Sequence, residues 1–409
     1  MTATDADRRG SRAETDWAGI AFGVTLASLI AYQQFKLPPV LPMLLERYGY
    51  DRTLAGSFMS VYAVAGLLLS VPIGRWLARH GALRGVAVAS LVMIAGNGLS
   101  LLAPENGWLM LAGRALEGCS FAVGAILGPA IVGGCASPRH RHFAIALVSA
   151  WIPIGQIAAG LAAPFALAQD HWQWLWYAGI AATGAIWLWG AALARRHAFG
   201  RGTAGRRMVE PPLLRREHRA LLIGAGIFLL WSGQYYAYMT WLPQYLIEAR
   251  ALGPVAAVFS YLLPVVVLMG FNILTGEVLR RGVGVTLLLL IGVAAQALSW
   301  WLTPFAHSDA AGIALLIFYG IAAGITPTCL FALPGAILGR AAGPHAFAIL
   351  MTGRNVGVLI GPILMAILQQ GHGGWGAVAP LLGVTTSVAT AGALLLHARY
   401  RRDAHQARG

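Results

Sequence analysis

Twelve apolar runs follow one another along the chain. They lie near residues 17–44, 54–78, 84–103, 107–135, 142–168 and 173–194, then 219–247, 254–279, 283–303, 311–338, 344–370 and 375–397. A bilayer core about 30 Å thick is crossed by roughly 20 apolar residues in a helix. Lipid offers the backbone no hydrogen-bond partner, so only helices or closed barrels span it, and uninterrupted runs of this length are helices. The chain is therefore expected to be an all-α integral membrane protein with twelve transmembrane helices. Composition agrees: 11% of its 409 residues are charged, against about a quarter in a soluble domain.

A formal net charge of +14 would suggest nucleic acid in a soluble chain. Here the arginines cluster between apolar runs, which is how a membrane protein marks its cytoplasmic side. Alternate loops hold nearly all of them, including Arg75, Arg79 and Arg84, the group from Arg195 to Arg219, and Arg399, Arg401 and Arg402. The opposite loops hold only Arg47, Arg52 and Arg250. Both termini are thus expected in the cytoplasm, as an even number of spans requires. That makes a multi-pass protein of the inner (plasma) membrane with no nucleic-acid partner. The first sixteen residues are polar and the run after them is too long for a signal-peptide core, so no cleavable signal is expected. Cys119, Cys135 and Cys329 show no disulfide or metal spacing, and no cofactor or metal is expected.

The longest polar break, 197–218, divides the chain into a six-span half at 1–196 and another at 219–409. The halves echo each other at an offset of about 200 residues: Gln33, Leu41, Pro42 and Phe58 recur as Gln234, Leu242, Pro243 and Phe259. Two pseudo-symmetric six-helix bundles, joined by a linker, are the sequence mark of a transporter.

The loop after the second run reads Gly74-Arg75-Trp76-Leu77-Ala78-Arg79-His80-Gly81, and its counterpart in the second half reads Gly276-Glu277-Val278-Leu279-Arg280-Arg281-Gly282. The fourth run carries Arg114-Ala115-Leu116-Glu117-Gly118. Over its whole length the chain resembles the major facilitator superfamily, whose Gly-x-x-x-Asp-Arg-x-Gly loop and Arg-x-x-Gln-Gly stretch these approach. Ala78 stands where that family has Asp, so the gate salt bridge which the Asp usually makes is not expected. The stretch Lys36-Leu37-Pro38-Pro39-Val40-Leu41-Pro42 is similar to the first helix of the cyanate and nitroimidazole permease branch. Organic-anion and monocarboxylate carriers also place a cation there. The resemblance implies that spans 1, 4 and 11 line a central cavity while spans 3, 6, 9 and 12 face lipid.

Ionisable groups inside spans cost about 2.5–3.5 kcal/mol each on insertion scales, so each asks for a reason. Four stand well inside: Lys36, Arg114, Glu117 and Arg354. Lys36, the only lysine, reads as an ammonium facing substrate or as a side chain snorkelling outward. Arg354 sits in a Gly353, Gly357, Gly361 stripe that permits close helix approach, and reads as a substrate contact or a tie between helices. Arg114 and Glu117 are three apart and share a helix face, so they can pair. Glu117 could be a fixed counter-ion or a carboxyl that carries a coupling proton. Tyr32, Gln33, Gln234, Tyr235, Tyr238 and Asn355 are the polar and aromatic residues expected to complete a substrate site. Trp172, Trp174 and Trp176 read as interfacial anchors.

Two surplus positive charges in a dry cavity want an anion. The leading expectation is a monomeric secondary transporter of a small anion, an organic monocarboxylate or a cyanate-like ion, with the proton as co-substrate. The alternative is a proton-coupled multidrug or metabolite exporter. An enzyme is not expected, because no cluster of His, Asp, Cys or Glu stands inside the spans.

Overall fold

The computed structural model describes residues 15–137, 139–196, 213–338, 344–371 and 374–406. Among them, twelve helices are long and apolar enough to cross a membrane, and no strand occurs. The first six are α1 (Trp17–Tyr48), α2 (Arg52–His80), α3 (Ala82–Leu102), α4 (Gly107–Cys135), α5 (Trp151–Ala168) and α6 (Gln173–Ala194). The second six are α7 (Arg215–Glu248), α8 (Pro254–Arg280), α9 (Val285–Phe305), α10 (Asp309–Leu338), α11 (His345–Gln370) and α12 (Gly374–Arg401). Arg8, Arg9, Arg12, Arg340 and residues 197–212 of the expected linker lie outside the described residues.

Helix starts follow ordinary capping chemistry. The side chains of Asp16, Asp51 and Asn106 accept from backbone amides in the first turns of α1, α2 and α4. Two expected runs are broken. The run at 142–168 forms a short helix, Arg141–Ser149, and then α5, with the break at Ala150. The first run breaks at Lys36, where Trp17–Phe35 ends and Leu37–Tyr48 begins. Pro38 and Pro39 have no N–H to offer the carbonyls four residues back, so the helix cannot run through unaltered.

Within the first six helices, α1 packs on α4, α5 and α6, and α3 on α4; within the second six, α7 packs on α11 and α12, and α9 on α10 and α12. The glycine stripe of α11 does what its spacing predicts. A Cβ on Gly353, Gly357 or Gly361 would overlap the carbonyl oxygens of Ala225, Leu229 and Gly233 in α7, so these two helices meet backbone to backbone.

The two sets of helices meet mainly along α2 with α11 and α5 with α8. On the arginine-poor face, taken as the outer one, they are closed. Gly56 lies against the backbone of Pro362, Arg52 is ion-paired to Glu248 at 2.5 Å, and Arg52 also donates to Gln369 at 3.1 Å. Towards the arginine-rich face the same helix faces part. Gly66 still meets Asn355, but Ser70 and Thr352 are exposed and nothing lies within 4 Å of a Cβ on Gly74. With the arginine-rich face turned inward, as the loop arginines lead us to expect, this is an inward-open arrangement. Glu277 pairs with Arg280 and Arg281 in its own helix, and none of Arg75, Arg79 and Arg84 is ion-paired among the described residues.

The tryptophans at the start of α6 correct an expectation. Trp172 and Trp176 are fully buried, and only Trp174 is exposed, at 60%. Trp172, in the turn just before α6, and Trp176, one turn into the helix, both face inward and pack edge-on, while Trp174 turns out.

Candidate substrate site

Lys36, Arg114 and Glu117 form one cluster, all three fully buried. Lys36 Nζ lies 3.2 Å from Glu117 Oε1, and also donates to Gln33 Oε1 at 2.6 Å and Asn97 Oδ1 at 2.5 Å. Arg114 Nη1 donates to Glu117 Oε2 at 2.6 Å, and the Tyr62 hydroxyl donates to the same oxygen at 2.5 Å. The remaining Arg114 donors reach three backbone carbonyls: Gln33 at 2.8 Å, Gln34 at 2.8 Å and Phe58 at 3.2 Å. The Gln34 carbonyl is one that Pro38 cannot serve, so Arg114 satisfies the break in α1. Two cations to one carboxylate leave the cluster at formal +1. The ring faces of Trp176, 4.3 Å below Lys36 Nζ, and of Tyr62, 4.5 Å from the Arg114 guanidinium, take part of that charge.

The expected pairing of Arg114 with Glu117 is present, but Lys36 is their third member. In this inward-open arrangement its ammonium is enclosed by Glu117, Gln33 and Asn97. The expected +2 shared by four groups in one cavity is divided instead, with the cluster among the first six helices and Arg354 among the second six. The inner faces of the expected lipid-facing helices α3 and α6 contribute to the network through Asn97 and through Thr183, which receives Gln33 Nε2 at 3.2 Å. Asn97, Tyr62, Trp176 and Thr183 were legible only as polar or aromatic interruptions of apolar runs.

Arg354 is half-buried. Its Nη2 donates to the Tyr236 hydroxyl at 2.7 Å, its Nη1 to Asn355 Oδ1 at 3.0 Å, and its backbone carbonyl accepts from Ser232 at 2.8 Å. Among the described residues no carboxylate pairs with it. Tyr236 also lies 5.8 Å, ring to ring, from Phe35, the residue before Lys36. Tyr236 thus joins the second cation to the helix that carries the first, although the sequence pointed to its neighbour Tyr235. Tyr235 donates to Gln156 of α5 at 3.0 Å, and Gln156 donates to Tyr261 of α8 at 2.8 Å, which ties the two halves together.

The other expected site residues have partners other than Arg354. Tyr32 donates to the Leu175 carbonyl at 2.9 Å. Gln234, the symmetry mate of Gln33, is enclosed among the second six helices, where its Oε1 receives Trp300 at 3.2 Å and Tyr319 at 3.3 Å. Tyr238 packs edge-on to the same two rings. Where one half surrounds its glutamine with charges, the other surrounds it with aromatics.

Residues 21–343 match the Major Facilitator Superfamily, and the chain belongs to that family. The crystal structure of the nucleoside transporter NupG (D323A mutant) superposes with a TM-score of 0.70 at 13% identity, covering 92% of this chain and 99% of that one. At that identity the likeness is one of fold. No curated protein matches the chain. It is thus a transporter of the major facilitator fold and a multi-pass membrane protein.

Proposed function

We propose that the chain is a secondary transporter of a small anion, an organic monocarboxylate or a cyanate-like ion, moved across the inner membrane by alternating access. Arg354 carries this reading. It is a guanidinium within a membrane span, aimed by Tyr236 and Asn355, with no carboxylate partner among the described residues. Such a cation is stabilised by an anion brought to it. The +1 cluster around Lys36, one aromatic pair away, adds to the same field. A substrate held at Arg354 in the inward-open form would draw the inner halves of α2 and α11 together, and so lead to occlusion.

Proton coupling runs through Glu117 in this reading. Lys36, Arg114 and Tyr62 all donate to its carboxylate here, and in this reading a later conformation of the transport cycle withdraws one of those donors. A Glu117→Gln protein that folds and transports with unchanged pH dependence would remove the proton from the scheme.

A nucleoside, the substrate class of the structurally similar NupG, is uncharged and offers Arg354 no counter-charge. The deciding experiment is a thermal-shift screen of the purified protein against cyanate, formate, lactate, benzoate and dicarboxylates, with nucleosides and cationic dyes as controls. Stabilisation by one anion class, lost in Arg354→Ala, is the expected result. Stabilisation by dyes or nucleosides alone would overturn the anion reading and favour the exporter.

A further inference from the structure

A second cavity lies among the outer halves of the second six helices. Its volume is about 280 Å³, and every residue lining it belongs to α7–α12 or their outer loops. Five aromatic side chains form much of its wall: Tyr238, Trp241, Tyr245, Trp300 and Trp375. Arg250 stands at the outer end, its Nη2 on the Ala306 carbonyl at 2.5 Å and its Nε towards the Tyr245 hydroxyl at 3.2 Å. No carboxylate pairs with Arg250 among the described residues. Asp309 also lines the cavity, but it is exposed in the first turn of α10, where the helix dipole favours an acid. Gly312, one turn further on, leaves the wall open, since a Cβ there meets nothing within 4 Å.

We propose that this cavity is a second ligand site, open to the outer face, for a monocarboxylate with a compact apolar body. The body fills the aromatic chamber and the carboxylate meets Arg250. The volume lies near the lower end of small-molecule pockets, roughly 300–1,000 Å³, and suits one ring or a short acyl chain. Such a ligand comes from the outer solution as an aromatic acid or from the bilayer as a fatty acid.

Occupancy is coupled to closure of the outer face, because the wall residue Trp375, on which Tyr245 packs, serves both. Trp375 Nε1 donates to Glu248 Oε2 at 2.8 Å, and Glu248 is the partner of Arg52; Tyr245 lies 5.3 Å from Trp375, ring to ring. A ligand that packs these two rings holds Glu248 where Arg52 needs it. By linkage, breaking the Arg52 pair must weaken the ligand in return.

The test is binding to the purified full-length protein, read by tryptophan fluorescence and thermal shift. The probes are phenylacetate, octanoate and, as a cationic control, phenethylamine. Saturable binding of phenylacetate or of octanoate is expected, and whichever binds identifies the source. The affinity should fall about tenfold or more in Arg250→Gln, the scale for losing a charge-assisted hydrogen bond. It should vanish in Gly312→Leu, fall several-fold in Arg52→Gln, and persist in Arg354→Ala. That last variant separates this site from the one proposed for transport. Unliganded melting temperatures show whether each variant is folded, and Ser260→Leu, on another wall, is a second way to fill the cavity. Binding of neither carboxylate, preference for phenethylamine, or affinity unchanged in both Arg250→Gln and the filled variants overturns the site. Unchanged affinity in Arg52→Gln overturns the coupling.

Discussion

Arg52, at the start of α2, and Glu248, at the end of α7, are joined across the two halves of the molecule by an ion pair at 2.5 Å. Gln244 donates to the same carboxylate at 2.6 Å, and Gln370 to Asp51 at 3.3 Å, so the pair is the centre of a polar seal over the outer face. Both side chains are about one-third exposed, and an exposed pair is worth up to about 1 kcal/mol. Arg52→Gln should therefore lower the ratio of inward-open to outward-open molecules roughly fivefold. Spin-label distances between Thr53 and Val255 would report it, and an unchanged distribution would mean that helix packing alone closes this face.

Glu117 is the only acid facing the two buried cations of its cluster among the described residues. Removing one member of a buried ion pair costs about 3–5 kcal/mol, because the remaining charge stays in low dielectric. Glu117→Gln leaves both Lys36 and Arg114 uncompensated and should lower the melting temperature sharply. Lys36→Met with Glu117→Gln should recover much of the loss, since Arg114 keeps its three backbone carbonyls. A double variant no more stable than the single one would show that Lys36 is not held by Glu117.

The close approach of α7 and α11 makes one glycine intolerant and another free. Gly357→Ala must push a methyl into the Leu229 carbonyl and the Ser232 hydroxyl, at a cost of about 1–3 kcal/mol, and it shifts Arg354 with the helix. Gly226, on the open side of α7, has nothing within 4 Å of a Cβ. Gly226→Ala should be neutral or stabilising by up to about 1 kcal/mol. Thermal unfolding of the two variants side by side measures the difference.

At the N-terminus of α2 the Leu54 amide donates to the Asp51 carboxylate at 3.1 Å and holds its pKa below the usual value. A depressed carboxyl pKa contributes stability that is present above the unfolded value and is lost as pH falls through the folded one. Asp51→Ala should cost about 1 kcal/mol near neutrality and less in acid, whereas Asp51→Asn keeps the cap. A melting curve taken across the acid range checks both.

The twelve spans were legible because the bilayer writes its demand into every stretch of about 20 residues. The Arg114–Glu117 pair was legible because a spacing of three fixes a shared helix face. Where Lys36 points was not, since that depends on how far the Pro38-Pro39 break turns α1. Its partner Asn97 comes from α3, which no local pattern brings near. The choice of Tyr236 over Tyr235 turns on about 100° of helix rotation, finer than an apolar run can specify. Trp172 and Trp176 depart from the expected belt because three tryptophans at a span end look alike in sequence.

Tyr236 gives a direct test of how Arg354 is aimed. Its hydroxyl accepts from the guanidinium at 2.7 Å, while its ring packs on Phe35 and, edge-on, on Tyr235. Tyr236→Phe removes the acceptor and leaves the ring contacts in place. A hydrogen bond to a charged group is worth about 1.5–3 kcal/mol. If that bond orients Arg354 for an anion, affinity for the stabilising anion should fall tenfold or more, with little change in the unliganded melting temperature. Should the bond instead only neutralise an idle arginine, freeing the guanidinium would raise anion affinity. Titration of the two proteins with the same anion distinguishes the cases by the sign of the change.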